Sequence, residues 1–316
     1  MNRLLLNLAL LVVFTSCLKE KPIERITNGE LQTVQVNMGD TYQLQIFYDL
    51  ENLEIIDTKD KDAWDLAFSG SDTSNHVILN SAKIMGAAFI PNTSLTDSLS
   101  TSGVTWVYEH HEGDGALSPF HDWENKTGVY LINGGFNHLG QNQPNHALQL
   151  ALVNGALEVK YRRLNQQEIR TVTIPKMSNY NFYALNFANQ NLHECEPPKN
   201  TWDIVFTVYT HIFDNNHAYA VNGVLLNRNK VEAAKISGNL EDLTFDEALS
   251  MTLSTQLDVI GYDWKFFNMQ AGIFTIVPNY FYLVQSRSSA RKKMRFVNFY
   301  NEQGMRGFPT FEVGGI

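Results

Sequence analysis

At 316 residues, with 44% apolar, 12% aromatic and 18% charged side chains, the chain is long enough for two domains and apolar enough to give each a core. Its net charge of −9, with no basic cluster longer than Arg291–Arg295, argues against nucleic acid as a partner, because phosphate binding needs a concentrated positive face. Of the 2 cysteines one is Cys17, at the end of a leader-like segment, so the processed chain keeps only Cys195 and must be held by packing rather than disulfides.

Residues 1–17 carry one arginine and then an apolar run from Leu4 to Phe14, too short to cross a bilayer as a mature helix and typical of an export signal. Small residues precede Cys17 as at a lipoprotein cleavage site, and the charged stretch 18–25 follows abruptly. The expectation is a signal peptide over 1–17, lipidation at Cys17, and a tether over 18–37, with the chain held at a membrane by lipid.

Beyond the tether the pattern is β. The stretches 42–50, 273–277, 281–285 and 294–300 alternate or are aromatic-rich, as strands over a core do. Asn154-Gly155 and Asn222-Gly223 each lie between such runs and predict hairpin turns. Thr244, followed three residues later by Glu247, predicts a capping box and a short helix within 241–253. The fold class is therefore mainly β with few short helices.

The stretch "AWDLAFSG" at 63–70 returns as "TWDIVFTV" at 201–208, and the same offset of 138 sets Tyr42 on Tyr180. Further along, Trp123 is set on Trp264. This reads as a β module of about 120–140 residues written twice, over 38–159 and 160–316. In each copy the indole is expected to fill the core, while the Asp caps a turn or accepts a buried hydrogen bond.

The Trp-Asp strand, the segment "IGYDWKFFN" at 260–268 and the closing stretch 276–313 together resemble the HmuY family of bacterial haem-binding lipoproteins. The resemblance is most specific over about 176–316, and residues 38–159 share it mainly through the repeat. It implies HmuY-like β modules and a lipoprotein facing the surface of the outer membrane, as in Bacteroidetes-type bacteria. It also implies capture of haem, or a similar porphyrin, from the surroundings or a haemoprotein, and transfer to an outer-membrane receptor. In the family the iron is gripped by His or Met side chains from finger-like hairpins.

Haem needs soft axial ligands and an apolar slot. His211 and His217 flank an Asp-Asn-Asn turn after the second Trp-Asp strand, with Tyr209, Phe213 and Tyr219 as walls, and are the first candidates. His76 and Met85 are their counterparts in the first half. His110 and His111, among Glu109, Glu112 and Asp114, offer donors for a transition metal or calcium, but neighbours on a strand face opposite ways, so they can share an ion only from a loop. No G-x-S-x-G, H-E-x-x-H, Walker, Cys-x-x-Cys or G-x-G-x-x-G motif occurs, which favours a binding protein over an enzyme. The rival reading is an adhesion or interaction lipoprotein that binds a protein or glycan and has no small-molecule site.

Overall fold

The computed structural model describes residues 29–213 and 217–316. The signal segment, Cys17, residues 18–28 of the tether and the Asp-Asn-Asn turn lie outside the described residues. Among those described, no helix is long and apolar enough to cross a membrane.

The chain builds two lobes, each a pair of antiparallel sheets. In lobe one, a sheet ordered Arg170–Ile174, Ala156–Arg163, His146–Val153, Gly128–Asn133, Gly86–Pro91, Val107–Tyr108 accompanies one ordered Leu192–His193, Phe182–Leu185, Leu66–Ser69, Val77–Leu79. Both contribute to a core around Leu66, Phe68, Tyr130 and Tyr161. In lobe two, Gln32–Gln35, Arg306–Gly315, Arg291–Tyr300, Tyr280–Gln285, Glu232–Ser237 accompany His217–Leu226, Ile204–Phe213, Leu44–Asp49, Glu54–Asp60. Their shared core holds Tyr48, Phe206, Phe296 and Phe311.

The repeat is present, but its copies are interleaved. Each Trp-Asp strand pairs with the leading strand of the other copy: Leu66 lies opposite Leu185, and Ile204 opposite Tyr48. Likewise Gln32–Gln35 joins the edge of the lobe-two sheet, while Arg170–Ile174, one repeat later, joins that of lobe one. Lobe one is thus a continuous stretch from Leu66 to His193, set between the two parts of lobe two. The boundary expected at 159/160 falls inside the strand Ala156–Arg163. Sequence similarity marks where a copy begins, whereas the sheets are drawn by which strands pair, and here pairing crosses between copies.

The reason Trp-Asp is written twice lies in these crossings. Asp65 N–H donates to Leu185 O at 3.0 Å and Asp203 N–H to Tyr48 O at 2.8 Å, continuing each ladder onto the borrowed strand. The carboxylates then accept the backbone N–H just beyond that strand, from Phe187 at 2.7 Å and from Leu50 at 2.9 Å. Each is paired with a buried or half-buried cation, Lys83 for Asp65 and Arg287 for Asp203. Phe187 and Leu50 are therefore equivalent at an offset of 137, so the ungapped alignment at 138 slips by one residue upstream. In a strand one residue of slip exchanges the two faces.

The first two indoles are buried, but not inside a lobe core. Trp64 packs with Ala67, Phe182 and Cys195 on one four-stranded sheet, and Trp202 with Phe47 and Val205 on the other. The two groups face a shared cavity of 130 Å³ between the lobes. Trp123 and Trp264 each sit in their lobe's main core ahead of strands that hold corresponding places in the two sheets, Gly128–Asn133 and Tyr280–Gln285, with Trp123 in the short turn Trp123–Asn125 directly before its strand. Trp264 instead stacks on Phe296 at 3.9 Å and opens an added hairpin, Lys265–Asn268 with Ile273–Ile276.

Asn154-Gly155 forms the expected tight turn, with φ of 52° and 82°. Asn222-Gly223 does not: both lie inside the strand His217–Leu226. Gly223 is needed there because a Cβ would stand 2.4 Å from Gly261 O, whose chain crosses the strand and bonds to Val224 N–H. The capping box at Thr244 and Glu247 is formed and starts the helix Phe245–Ser250.

Candidate functional site

Where the lobes meet, a cleft of 1020 Å³ opens. Lobe two lines it with Phe213, Tyr219, Tyr262, Phe266, Phe267 and Phe274, and lobe one with Phe136 and His138. Phe266 and Phe267 are each 50% exposed although they are neighbours on a strand, so the added hairpin offers aromatic surface on both faces. Aromatic side chains left exposed around a cleft make it the candidate binding region.

His138 enters the cleft on a loop fixed by glycine. Gly135 has a φ of 65°, and a Cβ there would meet Lys83 O at 1.9 Å. The close approach lets Phe136 N–H bond to Lys83 O at 2.8 Å. Two residues on, Asp62 Oδ2 accepts His138 N–H at 2.7 Å and lies 2.6 Å from its Nδ1. This bond occupies Nδ1 and leaves Nε2 for a ligand, the arrangement by which carboxylates orient metal-binding histidines. Burial pushes the Asp62 carboxyl up, but the bonds from His138 and Lys61 outweigh it and hold it below the usual carboxylate range.

The cleft also carries cations: Lys61 and Lys83 from the lobe-one side, Lys265 and Arg306 from lobe two. Lys265 Nζ donates to Asn222 O at 2.6 Å and lies 3.9 Å from the Trp264 ring. Burial lowers its pKa to about 7, against the opposing pull of Asp263.

Of the sequence candidates, His217 is exposed at the start of its strand, two residues before the cleft residue Tyr219. His211 lies behind the wall, its ring 4.7 Å from Phe213 and 5.0 Å from Tyr262. Met85 is 1% exposed within the lobe-one core, a position from which a thioether reaches no external ligand. His76 packs edge-on against Phe182 at 5.8 Å, and burial, with Arg228 nearby, lowers its pKa to about 4. Neither lines the cleft. His110 and His111 do sit on a loop, after Val107–Tyr108, and stack at 4.3 Å. His111 turns toward His211 and Asp258 rather than sharing donors with His110. Sequence reading missed His138; its signal was the paired glycines and aromatic of "GGFNH", where a constrained loop presents a histidine.

Beside the inter-lobe cavity, Glu196 is buried and accepts Asn181 N–H and, at 3.0 Å, Phe182 N–H. Burial pushes its pKa up to about 7, with these bonds and Arg228 opposing. A carboxyl raised above its unfolded value binds more protons when folded, so its cost grows as pH rises from 4.5 to about 7. The substitution Glu196→Gln, which keeps the accepting oxygen, is expected to stabilise the fold by about 2 kcal/mol above pH 7 and to be neutral below pH 4.5. Urea unfolding at the two pH values checks this, and equal effects at both would refute it.

No curated protein matches the chain. Among crystal structures, an apo HmuY analogue from Tannerella forsythia aligns at 8% identity over 92% of this chain and 98% of that one, with a TM-score of 0.35. Apo PinO from Porphyromonas gingivitis aligns at 10% identity over 90% and 96%, with a TM-score of 0.30. A putative HmuY-like haem-binding protein from Bacteroides vulgatus aligns at 15% identity over 46% and 79%, with a TM-score of 0.23. The HmuY protein family pattern matches residues 41–313, almost the whole described chain, and the protein belongs to that family.

Proposed function

We propose that the protein is a lipid-anchored capture protein of the outer-membrane surface whose cleft takes haem and passes it to an outer-membrane receptor. The observation that carries this reading is the cleft itself: aromatic walls from both lobes, a histidine with one free ring nitrogen, and cations within the same 1020 Å³. When bound, haem supplies a flat apolar ring, two carboxylates and an iron that takes axial side chains. Phe136, Phe266, Phe267 and Tyr219 would flank the ring, and Lys265 and Arg306 would meet the carboxylates. His138 would offer Nε2 to the iron, with His217 at the edge as the second donor and His211 as the reserve.

Haemin titration of the chain from residue 18 onward, followed at the Soret band, tests the proposal. A saturable one-to-one shift is expected, weakened at least about tenfold by His138→Ala. Affinity should fall as pH rises through about 7, where Lys265 loses its charge, and Lys265→Met should remove that dependence. Saturation untouched by His138→Ala but lost in His211→Ala or His217→Ala would move the ligand role to those residues. No shift from a folded protein would sink haem capture and favour a protein or glycan partner on the aromatic hairpin.

A further inference from the structure

We infer a second site, for a divalent transition-metal ion, at His111, His211 and Asp258. These residues come from three separate stretches: the loop after Val107–Tyr108 in lobe one, the strand Ile204–Phe213, and the loop before Ile260. One ligand atom from each falls within 4.8 Å of the others. Asp258 Oδ2 stands 3.8 Å from His111 Nε2 and 3.6 Å from His211 Nδ1, and the two rings are 3.8 Å apart. These separations are too long for hydrogen bonds. Metal bonds of about 2.0–2.2 Å at tetrahedral angles place donors about 3.3–3.6 Å apart, close to the separations of Asp258 Oδ2 from the two imidazole nitrogens.

The satisfaction of the polar atoms points the same way. His211 Nδ1 is buried and has no hydrogen-bond partner. Asp258 is largely buried, and no lysine or arginine is paired with it among the described residues. Buried polar groups are normally partnered, and two imidazoles with one carboxylate are a borderline donor set suited to zinc, cobalt or nickel. Asp60, Asp62 and His138 form a second close trio, but the 2.6 Å bond between His138 and Asp62 already uses their facing atoms.

One bond must be traded. His111 Nδ1 accepts Ile212 N–H at 3.2 Å, which places the ring proton on Nε2. Metal at Nε2 requires that proton to sit on Nδ1, so the Ile212 bond is given up as the loop adjusts. The ion would then tie lobe one to lobe two directly behind the cleft wall, since the His211 ring rests against Phe213 and Tyr262. The site does not depend on haem filling the cleft with His138 as its ligand.

The test is titration of the untagged, haem-free protein with Co²⁺, followed by its visible absorption, and with Zn²⁺ by calorimetry. Saturable one-to-one uptake is expected, weakened at least about tenfold in His211→Ala and in Asp258→Asn, and largely kept in His110→Ala. The Ile212 amide resonance should move on Zn²⁺ addition, a signature that a structural defect in a variant does not produce. Absence of saturable uptake, uptake indifferent to His211→Ala and Asp258→Asn, or uptake lost only in His138→Ala would each overturn the assignment.

Discussion

Replacing Asp203 by alanine is expected to lower the unfolding free energy by about 3–5 kcal/mol, read as a shift in the urea midpoint. Asp203 is fully buried. It accepts Leu50 N–H at 2.9 Å and Arg287 N–H at 3.1 Å, and pairs with the Arg287 guanidinium at 2.9 Å. Alanine strands two backbone donors and leaves the guanidinium with one carboxylate, Asp49 at 2.7 Å, beside its bond to Asn200 O at 2.6 Å. Asp65→Ala, at the matching place in lobe one, should cost less, because Asp65 is slightly more exposed and its cation is a single lysine. A loss below about 1 kcal/mol for Asp203→Ala would mean that the borrowed strand is held by its ladder alone and the Trp-Asp clamp is incidental.

Trp264→Ala should cost about as much, 3–5 kcal/mol, and should also weaken haemin binding. The indole is 1% exposed, stacks nearly parallel on Phe296 at 14° and meets Phe299 edge-on at 5.6 Å. Its N–H donates to Gly261 O at 3.2 Å, anchoring the chain just before the hairpin that carries Phe266, Phe267 and Phe274 into the cleft. Removing it empties core volume and frees the hairpin together. A loss of stability with unchanged haemin affinity would show that the hairpin is not part of the binding wall, whereas Trp264→Phe should retain most of both.

Local signals were the legible part. Asn154-Gly155, the Thr244 capping box and the alternating aromatic strands are decided by neighbours in sequence, and each formed where expected. Asn222-Gly223 carries the same turn signal but yields to a tertiary demand, the passage of Gly261 over the strand. The duplication was visible in Trp-Asp, yet nothing in either copy says which copy its strand will pair with, because both leading strands are aromatic and alternate alike. The site suffered from the same non-locality. His211 was singled out for its own hairpin, but its neighbours, His111 and Asp258, lie far away in sequence. His138 went unnoticed because its partner, Asp62, is 76 residues distant.

The interleaving of the copies also implies an expected order of assembly. A chain emerging from its N-terminus releases Gln32–Gln35, Leu44–Asp49 and Glu54–Asp60 before any strand of lobe one, but their partners Arg306–Gly315 and Ile204–Phe213 follow only after every strand of lobe one has appeared. Lobe one can close on contacts within its own continuous stretch, whereas lobe two must join ends separated by that whole lobe. Closing so long a loop is slow, though its added entropy cost rises only with the logarithm of length. A compact lobe one shortens the gap, because it brings its own first strand, Leu66–Ser69, and its last, Leu192–His193, onto the two edges of one strand, Phe182–Leu185, so the first lobe to form becomes the jig on which the second is assembled. A lesion in lobe one, such as loss of Asp65, would therefore slow the appearance of lobe two, while a lesion at Asp203 would leave lobe one to form at its own pace.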